Sequence, residues 1–294
     1  MDLRQIVALA LQVSIFLTVF GFGLRSTLDD LLSPARRPGT LARGLVAMFV
    51  VMPIVAIVLC IAFQFHPAVE IVLVALSISP MPPLLSNREA QAGGRVSYGI
   101  GLMVTAALLS IGFIPLAVGL IGRILGLPIA MGPAALVRLA SLSVLLPLGL
   151  GMLVRHASPA AAAQVARPAA IVAIAGLVLS VAALLIALLP TALTLVGNGT
   201  LLVFVVFVVV GLAIGHALGG PSREERAVLA LSTACRHPAI AIAVANANFP
   251  EEKLVPAAVL LYLLVNILVS IGYIVLQRRL RAAVRAAPVL RPGG

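Results

Sequence analysis

AVLALSTACRHPAIAIAVANANF, residues 227–249, is the stretch that decides the fold. It is long enough to cross a bilayer, since about 20 apolar residues span the hydrocarbon core. Yet Arg236, His237 and Pro238 follow one another near its middle. A charged arginine at the centre of a membrane helix costs roughly 3 kcal/mol, and proline breaks the helical hydrogen bonding. Because charge and broken backbone are tolerated at membrane depth where they line a cavity, this segment predicts a functional site.

The composition around this segment is that of a membrane protein. Of 294 residues, 62% are hydrophobic and only 10% are charged, with a mean hydropathy of +1.20, whereas soluble domains carry about 25% charged residues. The formal net charge is +11, but the basic residues are spread between apolar runs, which orientation in a membrane explains better than nucleic-acid binding. Cys60 and Cys235 lie in different apolar runs. We therefore expect no nucleic-acid partner, no metal and no cofactor.

Apolar runs predict an all-α polytopic protein with nine transmembrane spans. With the N-terminus outside, most Lys and Arg residues fall on the cytoplasmic side, and Arg88 and Arg236 fall within spans. The positive-inside rule then predicts a multi-pass protein of the cell inner (plasma) membrane with its C-terminus in the cytoplasm. The predicted spans are 5–24, 44–65, 69–94, 96–120, 134–154, 168–189, 199–218, 227–249 and 254–277.

The third span is interrupted in the same way as the eighth. It reads VEIVLVALSISPMPPLLSNREAQAGG, and Pro80, Pro82 and Pro83 predict a kink or an unwound stretch. The alternative is that this span ends at Ser79 and that an ordinary loop follows. Spans 1–4 and 6–9 share the order whole, whole, broken, whole, and the odd fifth span makes them an inverted repeat. Interruptions at matching places in two inverted halves point to a transporter's midplane site.

This organisation predicts one transmembrane domain over residues 1–294, ending in the basic sequence RRLRAAVRAAPVLRPGG. We expect this basic tail to lie on anionic lipid; the alternative is a solvated stop-transfer cluster. The predicted parts are a first repeat half (1–120), the fifth span with its linking loops (121–167), a second repeat half (168–277) and the cytoplasmic tail (278–294).

The charged groups predicted at membrane depth lie only at the two breaks. They are Arg88, Glu89, Arg236 and His237. We expect Arg236 to be an anion-binding or gating charge; the alternative is a structural ion pair with Glu89 that holds the broken helices together. His237 is a candidate for proton coupling, because the ordinary pKa of histidine is near 6.5. Alternatively, it is a neutral side chain bonded to a freed backbone carbonyl.

Several motifs occur in an order that is typical of one family. FGFGLRSTLDDLLSPARRPG at 20–39 is followed by Pro53, a proline-rich turn before Ser86-Asn87, a Gly-Gly pair, and the broken span that ends in AIAIAVANANF. Over roughly residues 12–277 the chain resembles the bile acid:sodium symporter superfamily, as a divergent bacterial-type member. The resemblance implies a core domain with two crossed broken helices, a smaller panel domain, and sodium-driven uptake of organic anions.

The sodium positions implied by this resemblance are atypical. The Ser-Asn pair of the first broken helix remains as Ser86 and Asn87, but the family's Glu-x-x-x-Gln-Asn run reads Ser232 through Arg236-His237. Because a fixed guanidinium repels sodium, we expect no sodium coupling. Instead, we expect Arg236 to stand in for the cation and attract an anion. The predicted substrate-binding residues are Ser86, Asn87, Arg236, His237 and Asn266, and the predicted coupling or gating residues are Arg88, Glu89, Ser232 and His237.

We therefore expect a secondary transporter that moves a small organic anion by alternating access. One alternative is a sodium-dependent, bile-acid-like organic-anion symporter with rebuilt ion sites, and another is an efflux permease for an anion or a metalloid. A membrane enzyme would need paired carboxylates at depth or a nucleophile beside a base, and the sequence indicates neither. The sequence carries no signal for an oligomeric state.

Overall fold

The computed structural model describes residues 3–125 and 141–286, together with residues 134, 137 and 138. Within them, every regular element is a helix. Seven helices are long and apolar enough to cross a membrane, and a bent helix pair makes eight if it is counted as one span. The prediction of an all-helical, multi-pass membrane protein is therefore confirmed.

The described residues contain thirteen α-helices. They are α1 (Leu3–Gly23), α2 (Leu28–Leu32), α3 (Pro38–Val46), α4 (Met52–Ala62), α5 (Pro67–Ile78), α6 (Ser86–Gln91), α7 (Val96–Leu125), α8 (Leu146–Ala157), α9 (Pro159–Thr194), α10 (Thr200–Leu218), α11 (Arg223–Ala234), α12 (Pro238–Asn248) and α13 (Val255–Ala286). A π-turn (Ala47–Val51) joins α3 to α4, a 3-10 turn (Pro83–Leu85) precedes α6, and a second π-turn (Ser141–Leu145) leads into α8.

The fifth predicted span is described only in part. Residues 135, 136, 139 and 140 lie outside the described residues, and the apolar helix from Ser141 to Ala157 is shorter than a crossing. The predicted total of nine spans is therefore not tested. The predicted part boundaries at 167/168 and 277/278 fall inside α9 and α13, because hydropathy detects the lipid-buried stretch of a helix and not its ends.

Burial separates central from peripheral helices. In the apolar window of the segment Arg223–Asn248, 78% of residues are buried, against 11% in that of α9. The break at Arg236 therefore lies in the interior of the helix bundle. The helix α9 packs mainly against α1, and less extensively against α13 and α8, and it presents most of its surface outward.

Two glycines bring α10 against the helix that carries the second break. A Cβ atom on Gly215 would lie 2.2 Å from the carbonyl oxygen of Leu229, and one on Gly211 would lie 2.8 Å from the Cα of Ala234. Small residues four apart allow two membrane helices to approach this closely. The contact therefore fixes the position of the C-terminal end of α11. Cys235, the first residue of the second break, comes directly after this end.

Candidate functional site

The first break begins where α5 ends at Ile78. Ser79 is extended, the 3-10 turn Pro83–Leu85 follows, and α6 starts at Ser86. The two helical parts are bent by 73° relative to one another. The prolines prevent one continuous helix because they lack the backbone donor. The predicted interruption is present, and the chain after it is helical again and is not an ordinary loop.

The second break lies at the predicted place in residues 227–249. The helix α11 ends at Ala234, Cys235 and His237 have extended backbone, and α12 starts at Pro238. Proline suits the first position of a helix, where its missing N–H is not needed. Two half-helices therefore meet at Arg236 inside the bundle.

The two breaks bind each other directly. The backbone N–H of His237 donates to the carbonyl oxygen of Pro80 at 2.8 Å, and Nη1 of Arg236 donates to the carbonyl oxygen of Ser79 at 3.1 Å. Each unwound stretch exposes backbone groups that must be bonded at membrane depth. The contact between the breaks satisfies part of this need for both of them.

Arg236 is among the largest fully buried side chains of the described residues, and it is 1% exposed. Besides Ser79, its Nη2 donates to the carbonyl oxygen of Met48 at 3.0 Å. Met48 lies in the π-turn between α3 and α4, a feature that is frequent at functional sites. The guanidinium thus binds carbonyl oxygens from two other segments of the chain. Carbonyl oxygens are hard ligands of the kind that also bind metal cations.

Tyr262 fixes the backbone of the second break. Its hydroxyl accepts from the N–H of Arg236 at 2.8 Å and donates to the carbonyl oxygen of Ala234 at 3.0 Å. Sequence analysis did not single out Tyr262. The available signal was its position four residues before Asn266, which places both on one face of α13.

Asn266 joins both half-helices. Its Nδ2 donates to the carbonyl oxygen of Ala234 at 3.1 Å, and its Oδ1 accepts from Cys235 Sγ at 3.2 Å and from Arg88 Nη1 at 3.4 Å. Arg88 is half-buried on α6. The guanidinium of Arg88 therefore lies near the second break, but its long contact to Asn266 binds it only weakly.

Glu89 is fully buried and binds Ser232. Its Oε1 accepts from the Ser232 hydroxyl at 2.8 Å, and a Cβ on Gly99 would lie 2.1 Å from its Oε2. The absence of a side chain at Gly99 thus makes the space for the carboxylate. Within the described residues, Glu89 forms no ion pair with Arg236, because its side chain turns toward α11 and α7.

The remaining predicted site residues differ in burial. Ser86 is 1% exposed and His237 is 4% exposed, whereas Asn87 is exposed. In the described part of the chain, the Ser86 hydroxyl and both ring nitrogens of His237 have no hydrogen-bond partner. Since buried polar groups are normally bonded, these atoms are among those that could contact a ligand.

Basic residues of α13 hold the C-terminal end of the first broken segment. Arg278 donates to the carbonyl oxygen of Gln91 at 3.1 Å, and Arg281 donates to that of Gly93. The first nine residues of the predicted tail are thus a continuation of α13, and two of its arginines contact protein. Residues 287–294 lie outside the described residues, so the predicted lipid contact of the tail stays a prediction.

The sequence profile of the sodium bile acid symporter family matches residues 12–194. This match covers more than half of the chain, including the whole first broken segment, and it ends before Arg236. No curated protein matches the chain. The chain therefore belongs to the sodium bile acid symporter family, whose members are membrane transporters of the bile acid symporter type.

Proposed function

We propose that the chain is a secondary transporter of a small organic anion that works by alternating access without sodium, with Arg236 in place of the cation. The observation that carries this proposal is the buried Arg236 guanidinium, bonded to the carbonyl oxygens of Ser79 and Met48. These oxygens would otherwise be available to a hard cation. A guanidinium in their midst supplies the positive charge permanently, because arginine keeps its proton in proteins.

The proposed architecture is a nine-span inverted repeat with two crossed broken helices, a core domain and a panel domain, oriented with the N-terminus outside. The bonds from Arg236 and His237 to the first break support the crossing. The packing of α1 with α8 and α9 supports a separate panel. Movement of one domain against the other then exposes the site alternately to each side.

In the proposed site, the anion contacts groups around the two breaks. The buried hydroxyl of Ser86 and both ring nitrogens of His237 have no hydrogen-bond partner in the described protein, so they are available to a ligand. Arg88 can exchange its long contact to Asn266 for a carboxylate, which an arginine binds more strongly in a bidentate pair. The N-terminus of α12 at His237 and the charge of Arg236 add positive potential.

Glu89 is the proposed coupling or gating group. A buried carboxyl bonded to Ser232 and without a cation partner in the described residues is the kind of intramembrane group that marks a proton path. Ser232 lies on α11 and Glu89 on α6. The bond of the carboxyl group therefore links a half-helix of the first broken segment to a half-helix of the second.

A sodium symporter with rebuilt ion sites is the second candidate. It is favoured by three of the buried side-chain oxygens that have no partner in the described protein. These three lie on α6 and α11 and belong to Ser86, Glu89 and Thr233. Sodium takes several such hard oxygen ligands. The guanidinium of Arg236 argues against this candidate, since it lies just after α11, the half-helix that carries Thr233, and would repel sodium.

Uptake by reconstituted protein tests the proposed function. Proteoliposomes would be assayed with a panel of radiolabelled small carboxylates, including a bile acid, with external sodium replaced by N-methylglucamine. We expect at least one carboxylate to be taken up at the same rate in both media, and Arg236→Gln protein to give background uptake. Uptake that requires sodium would instead support the symporter.

A further inference from the structure

A pocket lies apart from the two breaks, where α1, α8 and α9 meet. Its volume is about 440 Å³. Three arginines from three different segments line it: Arg25 after α1, Arg155 near the end of α8, and Arg167 on α9. The other lining residues are Leu24, Pro159, Ala162, Ala163 and Ala166.

In the part of the chain that the structure describes, the three arginines have no counter-charge. None of their side chains forms a salt bridge or a hydrogen bond within the described residues, and no acidic residue lines the pocket. By contrast, Arg36, Arg37 and Arg95 are each paired with a carboxylate. The pocket therefore concentrates positive charge that the described protein leaves uncompensated, which favours an anionic ligand.

The N-terminus of a long helix adds to this charge. Ser158 caps α9 by accepting from the N–H of Ala161 at 3.3 Å, and Pro159 is the first helical residue. The helix has 36 residues, and a helix dipole places partial positive charge at this end. Ala162 and Ala166 are buried against Leu24, so small side chains form the wall beneath the arginines and leave room for a head group.

The position of the pocket along α9 points to the membrane surface. At 1.5 Å per residue, the 36 residues of α9 span about 54 Å, whereas the hydrocarbon core is only about 30 Å thick. The turns from Pro159 to Arg167, at one end of this helix, therefore reach the head-group layer.

An apolar stripe continues from the pocket toward the membrane centre. Ile171, Ile174 and Val178 follow Arg167 at intervals that place them on the same helical face. They are 58–60% exposed. An acyl chain can lie along these side chains while its phosphate remains at the arginines.

We propose that this pocket binds a phosphate-bearing anion, and that its source is the head group of an anionic phospholipid. Guanidinium groups bind phosphate through paired N–H donors, and basic pockets between membrane helices suit anionic head groups. Free phosphate shares the head-group chemistry but makes no use of the stripe at Ile171, Ile174 and Val178. The lipid therefore satisfies both features of the site.

Native mass spectrometry of the detergent-purified full chain tests the proposal with phosphatidylglycerol as the probe. Phosphatidylcholine and inorganic phosphate are the comparison ligands. The variant replaces Arg25, Arg155 and Arg167 by Gln. A matched control replaces Arg123, Arg223 and Arg279, which are exposed and unpaired in the described residues, so that both proteins lose the same net charge.

We expect phosphatidylglycerol to bind in preference to phosphatidylcholine and the pocket variant to bind it on the order of 100-fold more weakly, about fivefold for each arginine lost. The control should bind like the wild type. Ala163→Phe fills the pocket from its exposed rim and should also weaken binding of phosphatidylglycerol. This single variant provides the test if the triple variant does not fold. Equal losses in the pocket variant and the control would overturn the proposal. Displacement of the lipid by inorganic phosphate at an equal concentration would overturn the assignment to a lipid.

Discussion

The backbone N–H of His237 donates a 2.8 Å hydrogen bond to the carbonyl oxygen of Pro80. These residues are far apart in the chain, and each lies in an unwound stretch of an otherwise helical segment. The bond means that neither break can move alone without leaving a backbone group unpaired in the interior. We therefore expect the two breaks to move as one unit during transport.

Tyr262→Phe should destabilise the protein by about 2 kcal/mol, because the Arg236 N–H and the Ala234 carbonyl each lose a buried partner. The measurement is the thermal unfolding midpoint in detergent. Tyr98→Phe is the matched control, since Tyr98 is equally buried but its hydroxyl has no partner in the described residues. Equal shifts in the two variants would show that the Tyr262 hydroxyl does not hold the break.

Gly99→Ala should displace the carboxylate of Glu89, because the added Cβ would lie 2.1 Å from Oε2. Overpacking of this kind costs about 1–3 kcal/mol, and we expect both transport and the melting temperature to fall. Adding Glu89→Ala should restore much of the stability, since the clash is then removed and the two effects are not additive.

The control for Gly99→Ala is Gly112→Ala on the same helix, where a Cβ meets no atom within 4 Å. It should leave the melting temperature unchanged or slightly raised, because alanine is the better helix former. A Gly99→Ala protein that melts like this control would contradict the position assigned to Glu89.

Gly215→Ala should separate α10 from α11, since its Cβ would lie 2.2 Å from the Leu229 carbonyl oxygen. We expect a loss of about 1–3 kcal/mol in stability and a lower transport rate, because α11 leads into the second break. Gly272→Ala, where a Cβ has open space, is the comparison. If both variants transport at the wild-type rate, the close approach at Gly215 does not position the break.

The breaks themselves could be predicted from sequence. Pro80, Pro82, Pro83, Arg236 and Pro238 are conspicuous in apolar runs, since each disfavours a continuous membrane helix. The all-helical membrane fold followed from composition and from the length of the apolar runs. These are local properties, and they do not depend on which segments pack together.

The partners of these residues could not be predicted. Arg236 binds the backbone carbonyl oxygen of Met48. Because every residue type has the same backbone acceptor, the identity of residue 48 does not indicate this contact in the sequence. The bond between Glu89 and Ser232 depends on the space left at Gly99, which only the packing of α6, α7 and α11 reveals. The tail residues after 277 continue α13 because basic side chains can extend a helix beyond the apolar stretch that marks a span.

The central claim is that the charge of Arg236 replaces a bound cation. The most direct measurement is the equilibrium binding of a transported carboxylate to purified wild-type, Arg236→Lys and Arg236→Gln protein, each with sodium and with N-methylglucamine. Arg236→Lys keeps the positive charge but lacks the planar guanidinium donors. It therefore separates the effect of the charge from the effect of losing the hydrogen bonds of the arginine side chain.

We predict that wild-type protein binds the carboxylate equally with and without sodium. Arg236→Lys should retain sodium-independent binding at reduced affinity, and Arg236→Gln should lose binding in both media. Binding of the carboxylate to wild-type protein only when sodium is present, or unchanged affinity in Arg236→Gln, would contradict the account.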